Sequence, residues 1–205
     1  MKSYPHILNS KGTNFRQFTA YVFDKIDGSN LRFEYSRKRG WYKFGTRNRL
    51  FDETDDVFGP AKVLFLESMG KEIQDMAKYH GWDSIVAFAE FAGPNSFAGK
   101  HVATEAKELW LFDIALNKKG ILGPSEFLTK FSHCHIPHCL GRYNWTREFV
   151  EQVRLGQIQG ITFEGCVGKS GEGHDLIMAK AKTQAWIDKV KAQYSQDEAE
   201  KIINS

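Results

Sequence analysis

A chain of 205 residues, 41% hydrophobic and 26% charged, suits an ordinary soluble globular protein with a sizeable core. Its 28 Lys and Arg against 25 Asp and Glu give a net charge of +3 that hides local clustering. No apolar run approaches the roughly 20 residues of a membrane span, Met1 to His6 lacks the apolar stretch of a signal peptide, and Cys134, Cys139 and Cys166 are too few for a disulfide framework, so a reducing cytoplasm is expected.

The chain has no internal repeat, low-complexity tract or Pro/Ser-rich linker. Strand-like alternation occupies residues 19–24, 30–36 and 41–46, with Arg39-Gly40 as a hairpin turn. Around that hairpin Arg37, Lys38, Arg39, Lys43, Arg47 and Arg49 are interleaved with Trp41, Tyr42 and Phe44. The mixture suits a polyanion, with cations for phosphates and aromatics for bases; the solvated basic face of a hairpin fits the spacing as well. Residues 60–80 read as a helix carrying Val63, Leu66, Met69, Gly70, Ile73 and Ala77, with Gly81 as its stop.

Further strands are expected over 84–91 and 109–115, and Pro124-Ser125-Glu126 starts a short helix. The segment His133-Cys134-His135-Ile136-Pro137-His138-Cys139 invites a zinc reading. Strand alternation sets His133 and Cys134 on opposite faces, and no second ligand cluster is visible, so a strand entering a Pro137 turn is the simpler expectation. A helix follows from Thr146 to Leu155. Residues 161–168 and 176–182 look like a hairpin around Ser170-Gly171-Glu172-Gly173, and the tail from Gln184 is amphipathic and helical. Strands and helices mix without a regular βαβ rhythm, which predicts an α+β fold.

Lys25, delivered by the apolar run Tyr21-Val22-Phe23, stands two residues before Asp27-Gly28. Burial disfavours a charged lysine, so such a residue is either paired with an acid or poised to lose its proton as a nucleophile. Lys180 and Lys182 share one face of a late strand, where they can bind a phosphate and depress the pKa of a third lysine. Glu90 and Glu164 each follow an apolar strand. Singly they read as edge charges; together they can hold a divalent metal and a ribose hydroxyl.

In this order the residues resemble the landmarks of the covalent nucleotidyltransferase superfamily of polynucleotide ligases and mRNA-capping guanylyltransferases. Lys25-Ile26-Asp27-Gly28 resembles motif I and Phe44-Gly45-Thr46-Arg47 the basic motif Ia. Phe88 to Gly93 resembles motif III, Leu111 to Ile114 motif IIIa, Glu164 to Val167 motif IV, and Lys180-Ala181-Lys182 motif V. Within the superfamily Gly28-Ser29-Asn30-Leu31 is most similar to RNA ligases of the T4 RNA ligase 2 type; DNA ligases and capping enzymes usually carry arginine at the position of Asn30. Asp27 is the general superfamily residue, where that subgroup commonly has histidine.

The resemblance implies an ATP-grasp-like nucleotidyltransferase fold with twisted, mainly antiparallel sheets flanked by helices. One adenylation domain over 1–205 is expected, and the chain departs from the family in ending some 23 residues after motif V, so no OB or other C-terminal accessory domain is expected. Lys25 would attack the α-phosphorus of ATP to form lysyl-AMP, pass AMP to a 5′-phosphate end and let a 3′-hydroxyl seal the strand. Lys180 and Lys182 would neutralise the α-phosphate, with Mg²⁺ or Mn²⁺ on Glu164. Glu90 would bond the ribose, Phe112 would stack on adenine, and Asp24, Asp27 and Asn30 would line the ATP pocket. Arg47, or equally Arg49, would hold phosphates, and Arg32, Arg37 and Lys43 are candidate nucleic-acid contacts. Without the family, Phe112 reads as a core aromatic and Asp27 as a turn residue. The expected partners are RNA ends, nicked or bridged by a complementary strand, with no membrane; the chain is a monomer or is completed by an accessory partner. A cytoplasmic enzyme is expected, and the compact size hints at a phage, virus or mobile element. The alternatives are a minimal DNA or RNA/DNA-hybrid ligase and a non-catalytic nucleotide- or RNA-end-binding module.

Overall fold

The computed structural model describes residues 4–10 and 15–204. In chain order the first strands are β1 (Leu8–Asn9), β2 (Phe18–Lys25), β3 (Ser29–Ser36), β4 (Gly40–Thr46) and β5 (Leu50–Phe51). Helix α1 (Gly59–Phe65), a π-helical turn (Leu66–Gly70) and α2 (Lys71–Tyr79) follow without a break. Next come β6 (Ser84–Ala92), β7 (Glu108–Leu116), β8 (Gly120–Ile121) and α3 (Pro124–Phe131). The chain ends with β9 (Cys139–Trp145), α4 (Arg147–Arg154), β10 (Gly165–Ser170), β11 (Ile177–Lys182), α5 (Gln184–Gln193) and α6 (Gln196–Asn204). Among the described residues no helix is long and apolar enough to cross a membrane.

Two compact units result, and the chain passes from one to the other between Asp27 and Gly28. The first consists mainly of Gly28–Ile136. It holds a six-stranded antiparallel sheet in the order β5-β4-β3-β6-β7-β8. Alternation along β3 and β6 sends Leu31, Phe33, Tyr35, Ala87, Ala89 and Phe91 to one face, where they meet Phe65, Met69, Ile73 and Ala77 of the helix. Large faces small across the strands, with Phe33 opposite Ala87 and Leu31 opposite Ala89, and the Phe33 ring stacks on Phe65 at 3.9 Å.

The buried helix stripe is Ala61, Phe65, Met69, Ile73 and Ala77, a repeat of four that a straight 3.6-residue helix cannot keep on one side. The wider π turn absorbs the drift, and Trp41 Nε1 donates to the Gly70 carbonyl there at 2.8 Å. Val63 and Leu66, expected on the core face, are exposed.

The second unit comprises His6–Asp27, Pro137–Gly171 and Leu176–Ser205. Its five-stranded sheet runs β1-β11-β10-β2-β9, antiparallel except for the β1–β11 pair. One face carries Ala20, Val22, Cys166, Ala179 and Ala181 under Trp145, Phe149 and Val153. Gly168 makes the room for that tryptophan, since a Cβ there would lie 2.4 Å from the indole. Thr146 caps α4 by accepting from the Phe149 N–H at 3.2 Å.

The α+β class expected from the element order is the one observed, with three local corrections. Residues 133–138 are turns and irregular chain, and the strand begins only at Cys139. Residues 161–164 are irregular as well, because their backbone is held by side chains and a turn instead of a ladder. The helical tail breaks at Tyr194–Ser195, where Ser195 Oγ bonds Glu198 and starts α6.

Candidate active site

In the second unit β2 ends on Lys25, β10 begins on Gly165 and β11 ends on Lys182, all in one register row. The two lysines therefore flank a glycine and share a sheet face. Gly165 has φ +148°, and a Cβ on it would stand 2.0 Å from the Ala181 carbonyl oxygen. Glu164, immediately before it, reaches both ammonium groups: Lys25 Nζ lies 2.8 Å from Oε2 and Lys182 Nζ 3.2 Å from Oε1. Lys180, level with Val167, lies on the same face and is buried.

The surroundings hold this row. Lys182 Nζ donates to the Ile202 carbonyl at 3.1 Å and sits 4.1 Å over the Trp186 ring. Trp186 Nε1 in turn donates to Asp27 Oδ2 at 2.7 Å, so the aspartate after β2 is fixed by α5. Thr183 caps α5 and fastens the approach to Glu164: its N–H donates to the Glu164 carbonyl at 3.0 Å and its hydroxyl to the Phe163 carbonyl at 2.6 Å. Asp24 points to the other side of β2 from Lys25, where it accepts from Thr162 N at 3.0 Å and Thr162 Oγ1 at 2.8 Å. It positions the Glu164 loop rather than joining the lysine row.

Burial pushes the Lys182 ammonium below its ordinary pKa, Glu164 opposes this, and the Lys25 charge adds to the depression. Burial raises the Asp24 carboxyl against the pull of the Thr162 hydrogen bonds. The row can therefore offer cations to an anion, and Lys182 sheds its proton more easily than a lysine in water.

In the first unit Asn30, Glu90 and Trp110 lie side by side across β3, β6 and β7. Phe112 is the extra residue of a β-bulge, between Ala89↔Leu111 and Phe88↔Asp113. Its half-buried ring meets Tyr4 edge-on at 5.0 Å and lies nearly parallel to Phe88 at 6.3 Å. Tyr4 donates its hydroxyl to Asp113, and burial, then the Asp113 and Glu90 charges, raise its pKa well above the usual phenol value.

Solved structures of two RNA ligases share this fold. A Naegleria gruberi RNA ligase with PPi superposes with TM-score 0.61 at 18% identity, covering 85% of this chain and 52% of that one. A mutant of the same ligase with ATP and Mn gives 0.59 at 17%, covering 83% and 51%. An archaeal ATP-dependent RNA ligase gives 0.62 at 18%, covering 93% and 51%. The chain has the fold of an RNA ligase nucleotidyltransferase domain. It spans about half the length of these solved chains. No family model matches the sequence, and no curated protein matches it.

On this nucleotidyltransferase fold the sequence-predicted residues form separate groups. Lys25, Asp27, Glu164, Lys180 and Lys182 belong to the five-stranded sheet and its flanks. Asn30, Arg32, Glu90 and Phe112 belong to the six-stranded one. Arg47 is exposed in the turn after β4, and its carbonyl accepts from Arg32 Nη1 at 3.4 Å. Burial, opposed by Glu34, lowers the Arg32 pKa. The other cations are dispersed: Arg37 pairs with Asp83 at 3.5 Å, Arg39 covers the Tyr42 ring, Lys43 lies opposite Glu34, and Arg49 pairs with Asp55. Tyr4, Thr162, Thr183 and Trp186 were not anticipated. Of these, only Thr183 had a local signal, a threonine at the start of an amphipathic helix.

Proposed function

We propose that this chain is the lysine adenylyltransferase portion of an ATP-dependent RNA ligase. The observation that carries the reading is the Lys25–Glu164–Lys182 row, two ammonium groups bridged by one carboxylate on adjacent strand ends. In the reaction Lys25 Nζ first gives up a proton to solvent. The free amine attacks the α-phosphorus in line, the P–N bond forms as the nitrogen loses a second proton to solvent, and the bond to pyrophosphate breaks. Lys182 and Lys180 bring positive charge to the α-phosphate as it gains negative charge. The Lys182 charge also repels the proton on Lys25, which favours the neutral nucleophile.

A single carboxylate on a cationic face suits Mg²⁺ or Mn²⁺ held together with substrate phosphates. Such an ion neutralises charge on the phosphate oxygens when bound. AMP then passes from Lys25 to an RNA 5′-phosphate, and a 3′-hydroxyl displaces it.

Incubation with α-labelled ATP or GTP and Mg²⁺, followed by denaturing electrophoresis, tests the reading. An acid-labile, alkali-stable label from ATP alone is expected, lost in Lys25→Ala. Absence of covalent label with both nucleotides overturns it. Nicked RNA, DNA and hybrid duplexes then test the substrate, and preference for an all-DNA nick overturns the assignment to RNA.

A further inference from the structure

The turn after α3 carries His133 and Cys134, and both side chains meet Glu72 from the first turn of α2. His133 Nε2 is 2.9 Å from Glu72 Oε1, and Cys134 Sγ is 3.5 Å from Oε2. One nitrogen, one sulfur and one carboxylate oxygen all lie within 4.8 Å of one another. Tetrahedral zinc, with bonds of about 2.0 Å to N or O and about 2.3 Å to S, needs ligand separations of about 3.3–3.6 Å. The two contacts to Glu72, 2.9 and 3.5 Å, lie below and within that range.

We propose that Glu72, His133 and Cys134 bind a borderline transition-metal ion of the Zn²⁺ class, with solvent as the fourth ligand. Three protein ligands and one open position suit tetrahedral zinc, and the sulfur donor selects against Mg²⁺. Glu72 and His133 border a groove of about 760 Å³, together with Tyr79, His80 and Lys130, while Cys134 is buried. His135 is turned away: its Nδ1 meets the Leu109 carbonyl at 3.1 Å and its ring packs on Trp110.

Binding converts the thiol to a thiolate as the metal–sulfur bond forms, and the displaced proton goes to solvent. In the metal-free chain burial and Glu72 hold that thiol up at about 12, so it donates to the carboxylate instead. The ion links α2 to a turn 61 residues later (Glu72 to His133), clipping together two elements of the first unit. The His133–Cys139 segment invites a zinc reading in the sequence, but no spacing announces Glu72, which tertiary packing brings to it.

The test strips the full chain with EDTA and titrates it with ZnCl₂ or CoCl₂ alone. The expected result is one ion per chain, a thiolate-to-cobalt charge-transfer absorption and a higher Tm with zinc. Cys134→Ser should abolish the absorption, and Glu72→Gln should weaken binding at least tenfold. Cys134 is buried, so His133→Ala at a half-exposed position serves as the variant that keeps its fold, and it too should bind at least tenfold more weakly. Absence of the absorption, its persistence in Cys134→Ser, its loss in Cys139→Ser or Glu164→Gln, or unchanged affinity in His133→Ala each overturns the proposal.

Discussion

The two sheets bury different chemistry. The six-stranded sheet and its helices bury large rings between them, Phe33, Phe65, Phe91, Phe127 and Phe131 among them. The five-stranded sheet has a core face of alanines, Val22 and Cys166, and its opposite face carries Lys25, Lys180 and Lys182. Aromatic burial is stabilising in proportion to area, whereas a buried ammonium costs desolvation that its carboxylate only partly returns. The first arrangement is built for stability. The second holds charge in place at the expense of stability.

The sharpest test of that contrast is Glu164→Gln, which leaves Lys25 and Lys182 without the shared carboxylate. Covalent labelling should fall about 10²–10³-fold, and urea denaturation should show a loss of about 3 kcal/mol. Unchanged stability would mean that the carboxylate does not carry the lysine row.

Phe65→Ala addresses the other sheet. Removing the ring stacked on Phe33 should cost about 3–4 kcal/mol, while labelling well below the lowered Tm stays near the parent rate. Equal loss of labelling and stability would erase the distinction between the sheets.

Asp24→Ala removes the acceptor for both Thr162 groups and should cost about 1–2 kcal/mol. Its effect on labelling is expected to be several-fold, smaller than that of Glu164→Gln, because Asp24 acts on the loop and not on the phosphate. A loss as deep as that of Glu164→Gln would put Asp24 in the chemistry.

Lys182→Met leaves Glu164 paired with Lys25 alone and should cost less stability near neutral pH than Glu164→Gln, while labelling collapses. Because the folded pKa of Lys182 is depressed, the unfolded chain binds more protons between that value and the ordinary 10.5. Stability from this group therefore rises with pH across that alkaline window, and the rise should vanish in Lys182→Met. Parallel alkaline titrations of the two proteins check it; identical slopes argue against the buried ammonium.

Much of the site was legible because its elements are local. Period-2 alternation exposes β2, β3, β6 and β7, and Lys25, Glu164, Lys180 and Lys182 stand at strand ends with small residues beside them. The π turn was not legible, since a repeat of four still looks helical and Val63 and Leu66 are as apolar as the residues that are buried. The irregular stretch 161–164 looked like a strand because Ile161, Thr162 and Phe163 favour one. Its conformation is set by Asp24 and Thr183, side chains distant in sequence.

The amino-acid sequence by itself determined the α+β class, most strand faces and the identity of the charged groups, all properties of residues within a few positions of one another. Tertiary structure alone decided which groups meet. It brought Lys25 to Glu164, Asp27 to Trp186 and Glu72 to Cys134, across 139, 159 and 62 positions. Such contacts depend on strand register and helix placement, which the packing of the whole core selects and no local pattern encodes.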